Sequence, residues 1–522
     1  MNRTKKSTGK QNGQRRKRCD RTTPNRLLQI LIYRLTRTAM LPIALAFGTS
    51  WAAAVEASSL SCPITGAVAI NGLYANNTNC NITNSGSLDT NAGQLYNYGT
   101  LQNYGTINNG LLINKSAGTL NNYGMLDNQY RLTNYGSLNN SSALANLGRL
   151  ENLSQLNNSA SLNNSGYISN TGTVTNKLGA LLTNYSNATL TNGGSISNTG
   201  IVNNAGYIGN MGTITNQGII NNTGKLFVNS GTLLSNTGTV ANNGTLNIYN
   251  GTVVNNAGAT LNNNGTIYNT LTLTNYGAVT NTGAISSVGV ITNAGTFTNS
   301  GSVTINKFSF TDTNTGVVGG TGTFTETYGR IEIDGAFTQK QINLQGGLLN
   351  GTGVITGSVI NSGGVISAGA YGGTGTLSIH GGLTQGSGGT LEELINGTSS
   401  GQYSVLAITG SMSLDGNLDI VTGNGFTFAA GQSFTIVGFT PGSLTGSFAS
   451  MSEGSYSGNG MSINIGNGLT IKALYNNGLG NIQLQVVAVP EPAESLLMMV
   501  GLGLLGLVDR RRKPKEISIR RQ

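Results

Sequence analysis

Few side chains in this sequence could do chemistry, and their types narrow what that chemistry is. The one histidine, His380, stands in a glycine-rich stretch. A single imidazole excludes a site that needs two histidine ligands and argues against a Ser-His-Asp triad, so His380 reads as a surface or turn residue. No CxxC pair, no phosphate-cradling glycine loop ending in lysine and no glycine-aspartate calcium repeat occurs, so neither cofactor nor metal is expected. Five carboxylates are the candidates for sugar cleavage: Asp127, Glu151, Glu326, Glu332 and Asp334. Glu332 and Asp334, two apart, would point to the same side of one strand, as paired acids must. Solvated surface charges are the simpler reading of all five, and a polysaccharide lyase or hydrolase is kept as the alternative.

The tyrosines follow a rule. Tyr98, Tyr104, Tyr123, Tyr135, Tyr185 and Tyr276 each stand between an asparagine and a glycine. If the asparagine points inward, that slot points outward, and a row of aromatics among Asn, Ser and Thr could stack on sugar rings or bind a partner surface. The plainer role is cover for corner backbone.

These slots belong to a repeat that organises the chain from about Leu95 to Val303. Leu120, Leu126, Leu132, Leu138, Leu144, Leu150, Leu156, Leu162, Ile168 and Val174 recur every six residues without a slip. Leu95, Leu101, Ile107 and Ile113 precede them, and further blocks run from Leu190 to Leu226 and from Leu261 to Val303, with steps of seven or eight between blocks. The unit is aliphatic-x-Asn-x-Gly-Thr/Ser, as in LQNYGT from Leu101 and ITNQGI from Ile214. A period of six is divisible by two but fits no whole number of helical turns, so the segment is β. Each hexad has one large apolar side chain and can bury it only by stacking on other hexads. Three hexads per coil, about 18 residues, give a three-sided parallel β-solenoid with glycine at the corners. At Asn122, Asn128, Asn134, Asn140 and Asn146 the amides can hydrogen-bond along the axis as a ladder, at about 4.8 Å per step.

Charge excludes one class of function. Of 28 Lys/Arg, 12 fall in residues 1–37 and 7 in residues 509–522; the 9 that remain between face 15 acidic residues. A body that is net acidic, without clustered Lys/Arg, is not expected to bind nucleic acid. The basic start, the apolar run Ala39 to Gly48 and the small residues up to Ala57 form a secretory signal layout. Cys19 would leave with that segment. Cys62 and Cys80 remain, 18 residues apart, one coil by the count above. That spacing puts them on neighbouring rungs with Cα atoms near ~5 Å, within reach of a disulfide in an exported protein; two independent buried thiols are the other reading.

Beyond Val303 the asparagines thin out, but aliphatics still alternate among glycines. From Tyr403 the strands lengthen: YSVLAI, SLDGNLDIV, SFTIVGF, SINIG, LTIKAL and NIQLQVV. These are expected to form the last coils and cap, or a small sandwich on the end of the rod. GTGTLSIHGGLTQGSGGTLE from Gly373 to Glu392, YSVLAITGSMSLDGNLDI and the LTGSFASM run resemble the end of bacterial autotransporter passengers, across residues 348–487. The resemblance implies a right-handed parallel β-helix. The chain departs from that family in having no following segment of roughly 250 or more residues for an outer-membrane barrel, so self-translocation is not expected.

The last residues carry a second resemblance. Val489, Pro490, Glu491 and Pro492 lead into an apolar run from Leu496 to Val508, then Asp509 and the cluster Arg510, Arg511, Arg512 and Lys513. This order resembles the PEP-CTERM sorting signal of Gram-negative bacteria. The family implies recognition by an exosortase-type enzyme and release or transfer to the cell surface. In physical terms, proline ends the strand, a Leu/Gly helix enters the inner membrane, and the cations stay on the cytoplasmic side. Ser495 to Val508 is 14 residues, short of the ~20 needed for a full span.

The expected organisation is residues 1–57, basic region and signal peptide; 58–94, N-terminal cap; 95–306, hexad solenoid; 307–402, its glycine-rich continuation; 403–488, C-terminal coils or cap; and 489–522, sorting tail with a transmembrane helix. The function read from it is an exported, non-catalytic structural or adhesin-like protein. It would pass through a membrane-anchored intermediate to the cell surface or matrix, with exopolysaccharide or cell-surface glycan as partner. A Thr-rich ice- or surface-binding solenoid is a third reading. It needs flat Thr-x-Thr ladders, which the irregular hexad ends do not obviously supply.

Overall fold

A computed structural model of the protein describes residues 56–489, apart from residue 424. The expected signal peptide, through residue 55, and the expected sorting tail from Pro490 onward with its transmembrane helix lie outside the described residues. Within them the chain is all β, a parallel β-solenoid without a helix, and no helix long and apolar enough to cross a membrane occurs there.

Each hexad becomes a four-residue strand whose second and fourth residues turn inward. Arg149–Asn152, Gln155–Asn158 and Ser161–Asn164 make the three sides of one coil, and each buries an aliphatic residue and an asparagine. The following coil stacks on it in parallel register, with Leu150 opposite Ile168, Leu156 opposite Val174 and Leu162 opposite Leu182. We call these sides the first, second and third faces. One coil could not hide its three aliphatic side chains alone; stacked between neighbours, each contributes roughly 2 kcal/mol.

The rung spacing is 18 residues between Asn134 and Asn152 and 22 between Asn170 and Asn192. Extra residues are taken up at corners, as at Lys177–Ala180, where Gly179 adopts φ +81°. At the regular corners glycine is needed for a different reason. A Cβ on Gly166 would run into the carbonyl oxygen of Gly148 in the coil before, so only a bare backbone packs that closely.

One aliphatic expected in the core is not there. Ile113 is only partly buried and points outward, whereas Leu112 is fully buried opposite Leu95. Phase is carried by the asparagine two residues on: Leu112 has Asn114, while Ile113 has Lys115. The other aliphatics named from Leu95 to Val303 are buried.

Inside the coils the asparagines form three ladders, one per face. On the second face, Nδ2 of Asn103 donates to Oδ1 of Asn122, and the pattern runs through Asn140, Asn158 and Asn176 to Asn275 and Asn293. The remaining proton of each Nδ2 reaches a backbone carbonyl at the next corner, as Asn122 does at Ala143. Each amide therefore locks two coils and a corner together, which satisfies groups that would otherwise be buried without partners. Every rung donates toward the C-terminus. Where a ladder starts beneath an apolar residue, an oxygen is left over: Asn103 Oδ1, above Ile82, has no partner.

The coils continue in parallel past the end of the asparagines, through Arg330–Ile333, Leu348–Gly351, Val365–Ala368, Thr390–Ile395, Asn417–Thr422 and Ser450–Glu453. Phe297, Phe310, Phe324 and Phe337 fill the interior at the changeover, with neighbouring rings 4.8–6.1 Å apart. From Tyr456 pairing turns antiparallel: Leu469–Asn476 pairs with Asn481–Ala488, which also covers Ser433–Gly438. Those strands close the apolar end of the stack.

Candidate functional site

Sorting the outward-facing residues by side gives an uneven result. In the strands between Gln94 and Ile305, the first and third residues face solvent. Every aromatic and every cationic residue at those positions lies on the first face: Tyr96, Arg131, Arg149, Tyr167, Tyr207, Lys225, Phe227 and Tyr268. The register places Arg131, Arg149 and Tyr167 on three successive rungs, and Tyr207 beside Lys225 on two more. The second face is lined mostly with Thr, Ser, Asn and Gln, with Leu233, Val254 and Val290 among them, and carries no charge between Thr100 and Thr292; the third carries one, Asp127.

Contacts on the first face tie rings and cations together. Lys115 Nζ sits 4.4 Å from the Tyr96 ring centre and 5.7 Å from that of Tyr98, and Arg149 Cζ is 5.0 Å from the Tyr167 ring centre. Glu151 accepts from Arg131 Nη2 and Arg149 Nε, each at 2.6 Å. Burial opposes its charge, yet the two guanidiniums outweigh burial and hold the Glu151 carboxyl below its ordinary value. Two cations against one acid leave this patch positive, beside the exposed ring of Tyr130. Such a strip of rings with flanking cations suits a polymer that has flat apolar faces and anionic or polar groups.

The six tyrosines of the Asn-Tyr-Gly slots are all exposed, but they do not form a row. Tyr98 and Tyr135 follow first-face strands, Tyr104, Tyr123 and Tyr276 second-face strands, and Tyr185 a third-face strand. Only Tyr104 and Tyr123 stack, with centres 4.9 Å apart. The slot fixes outwardness, while the count of hexads modulo three fixes the corner.

The carboxylates do not converge either. Asp127 accepts from Gln129 on the third face, and Glu332 pairs with Arg330 at 3.1 Å. Asp334 accepts from the backbone N–H and hydroxyl of Thr352. Glu326 overturns the expectation of a solvated charge. It is fully buried, because Phe324-x-Glu326 continues the aliphatic-x-Asn phase and drops the carboxyl into an asparagine position. Burial pushes it up to about 8, against one hydrogen bond from the Leu348 N–H. Asp312 fills the same kind of position, and there burial, with the charge of Asp334 adding to it, raises the carboxyl to about 7. His380 is exposed at the end of a strand.

The Thr-x-Thr pattern occurs only in short, mixed runs. On the second face Thr173/Thr175, Ser195/Ser197 and Thr213/Thr215 occupy three successive rungs before Leu233 interrupts them. At the N-terminal end, Cys62 and Cys80 have Cα atoms 5.3 Å apart and sulfurs at bonding distance.

No family model matches the sequence, and no curated protein matches it. Six solved chains do. One is the crystal structure of the Haemophilus influenzae Hap adhesin, 14% identical with a TM-score of 0.35, over 82% of this chain and 58% of that one. The chain thus spans less than two thirds of that structure.

Proposed function

We propose that this is an exported, non-catalytic surface protein, structural or adhesin-like, in which the first face of the solenoid contacts a polymer. The observation that carries the reading is the gathering of aromatic and cationic strand residues on one face of three. Fold stability does not require it, since the other two faces stack equally well with Thr, Ser, Asn, Gln and Ala and a few aliphatic residues, and carry neither rings nor cations at those positions. Exopolysaccharide or a cell-surface glycan is the partner whose chemistry fits. In this reading the signal peptide delivers the chain, and the sequence from Val489 to Lys513 acts as a PEP-CTERM-like signal for an exosortase-type enzyme. A membrane-anchored intermediate precedes the surface or matrix form. A right-handed winding and a Cys62–Cys80 bridge in the exported chain belong to the same proposal; peptide mapping without reductant checks the bridge.

The test is retention. Cells secreting the full chain are compared with cells secreting an Arg131→Ser, Arg149→Ser, Tyr167→Ser, Tyr207→Ser variant, and protein held in the matrix is measured against protein in the medium. Retention should fall roughly tenfold, as expected when several ring and cation contacts are removed together. A second variant with Thr173, Thr175, Thr213 and Thr215 changed to Ala should be retained normally. Equal losses in both, or none in the first, would overturn the assignment of the face.

A further inference from the structure

We infer that a groove on the corner between the first and second faces, formed by Lys307, Phe308, Tyr328, Arg330 and Tyr371, binds a carboxylated polysaccharide of the uronate type. The assignment rests on the reading of the rod as a polymer-contacting surface protein and gives that polymer a chemical class. The groove has a volume of about 540 Å³. Its rings are unusually bare: Phe308 is 53% exposed, Tyr328 68% and Tyr371 71%.

Three elements build it. Lys307 and Phe308 form the corner before Ser309–Asp312, and Tyr328 forms the same corner one coil later, before Arg330–Ile333. Tyr371 comes from the loop after Val365–Ala368, whose Gly372 has φ +71°. The Tyr371 ring centre lies 4.9 Å from Arg330 Cζ, and Lys307 Nζ lies 5.2 Å from the Phe308 ring centre. Rings exposed on a shallow corner present flat apolar faces, the surface on which the C–H side of a pyranose stacks.

Charge selects the class of sugar. The body of the chain is net acidic, yet two of its 9 cations stand in this groove. Glu332 holds Arg330 Nη2 at 3.1 Å and so fixes the guanidinium while offsetting one charge. Lys307 has no ion-pair partner among the described residues. One net positive charge beside stacked rings matches a sugar carboxylate better than a neutral sugar. A peptide is a poorer fit, because strand addition needs a free backbone edge. Here Ser309–Asp312 is already paired on both sides, with Val290–Asn293 and Arg330–Ile333.

The experiment is affinity electrophoresis of the purified full chain in gels containing polygalacturonate or its fully methyl-esterified form. Polygalacturonate should retard the protein and the ester should not. Lys307→Glu and the pair Tyr328→Ala, Tyr371→Ala should each weaken binding roughly tenfold, in line with the loss of a charge-assisted contact or of two stacking rings. Lys307→Arg should bind like the wild type, and circular dichroism establishes that each variant keeps its β signature. Equal retardation by both polymers, or wild-type binding by the Glu and Ala variants, overturns the assignment. A Tyr207→Ser variant separates the two sites: it should leave gel retardation unchanged. A chain retained in the matrix through its first face but indifferent to polygalacturonate would sink the groove and spare the broader function.

Discussion

Nδ2 of Asn293 donates to Oδ1 of Asp312 at 2.8 Å, and with that bond the second-face ladder ends. The next rung inward is Ile333, opposite Asp312, which offers no acceptor. Because every rung donates toward the C-terminus, the last residue must accept without needing to pass a donor on. A carboxylate does that, at the expense of burying its second oxygen, Oδ2, without a partner. The third face solves the same problem with Gln339, which accepts from Asn299 and donates to the Gly319 carbonyl.

The first prediction follows from the sign of that burial. Asp312 and Glu326 have folded pKa values raised to about 7 and about 8, from 3.8 and 4.5. The folded state therefore holds protons that the unfolded chain releases. Their contribution to stability is fully present below about pH 4 and is lost as pH rises toward 8. The melting temperature should be higher at pH 5 than at pH 8.5. Asp312→Asn should raise stability at pH 8.5 by on the order of 2 kcal/mol and flatten the profile. Its new amide can bond to its own corner as Asn114 does to the Gly118 carbonyl. Thermal unfolding at the two pH values decides it, and an unchanged pH profile in Asp312→Asn would count against the account.

Second, Leu112 and Ile113 should separate cleanly. Leu112→Asp places an unpaired charge in a fully buried stack and should cost several kcal/mol, about 3 or more. Ile113→Asp lies on the surface and should cost less than about 1 kcal/mol. Denaturant unfolding of the two variants measures the difference. Leu144→Asp, in the uninterrupted block, should behave like Leu112→Asp.

This pair also marks what the sequence made legible. The aliphatic period and the asparagine two residues later define strand, inward side and ladder, because both recur within one hexad. Face membership depends on counting hexads in threes across steps of six, seven and eight, so the grouping of Arg131, Arg149 and Tyr167 on one side is spread over 37 residues of sequence. Reading every third hexad would have revealed it. Glu326 was hidden because a glutamate is normally a surface residue, and only its phase behind Phe324 gives it away. The groove at Tyr371 had no such signal, since its loop lies outside the repeat.

Third, ladder substitutions should be non-additive. Asn152→Val strands two partners at once, the Nδ2 of Asn134 and the Oδ1 of Asn170. It should cost about 2–3 kcal/mol, the price of leaving buried polar groups unpaired. Adding Asn170→Val moves one of those orphans a rung along rather than creating a new one, so the double variant should be less destabilised than the sum of the singles by about 1 kcal/mol. The chain contains such a pair in Val228 and Ile248, stacked on successive first-face rungs between Asn210 and Asn269. Asn269 Oδ1 is the orphan left behind. A double-mutant cycle at 152 and 170 that proved strictly additive would contradict the ladder as a coupled unit.

The last prediction concerns the fate of the tail. Pro490 to Pro492, a Leu/Gly segment of 14 residues and the cations Arg510 to Lys513 follow one another. A segment of that length falls short of the ~20 residues of a full helical span, so in the proposed sorting reading it would be a weak permanent anchor. On that reading, it need only hold the chain at the inner membrane while a sorting enzyme engages the Pro-Glu-Pro segment. Intact protein should therefore fractionate with membranes, and protein recovered from the matrix should lack the residues beyond about Pro492. Changing Arg510, Arg511 and Arg512 to Ser removes the charge that, in this reading, would keep the end cytoplasmic. Processing or topology should change, while the solenoid, whose last described strand Asn481–Ala488 precedes the tail, should keep its β signature. Mass spectrometry of the C-terminal peptide gives the answer: matrix material that still ends at Gln522 would reduce the tail to a plain membrane anchor.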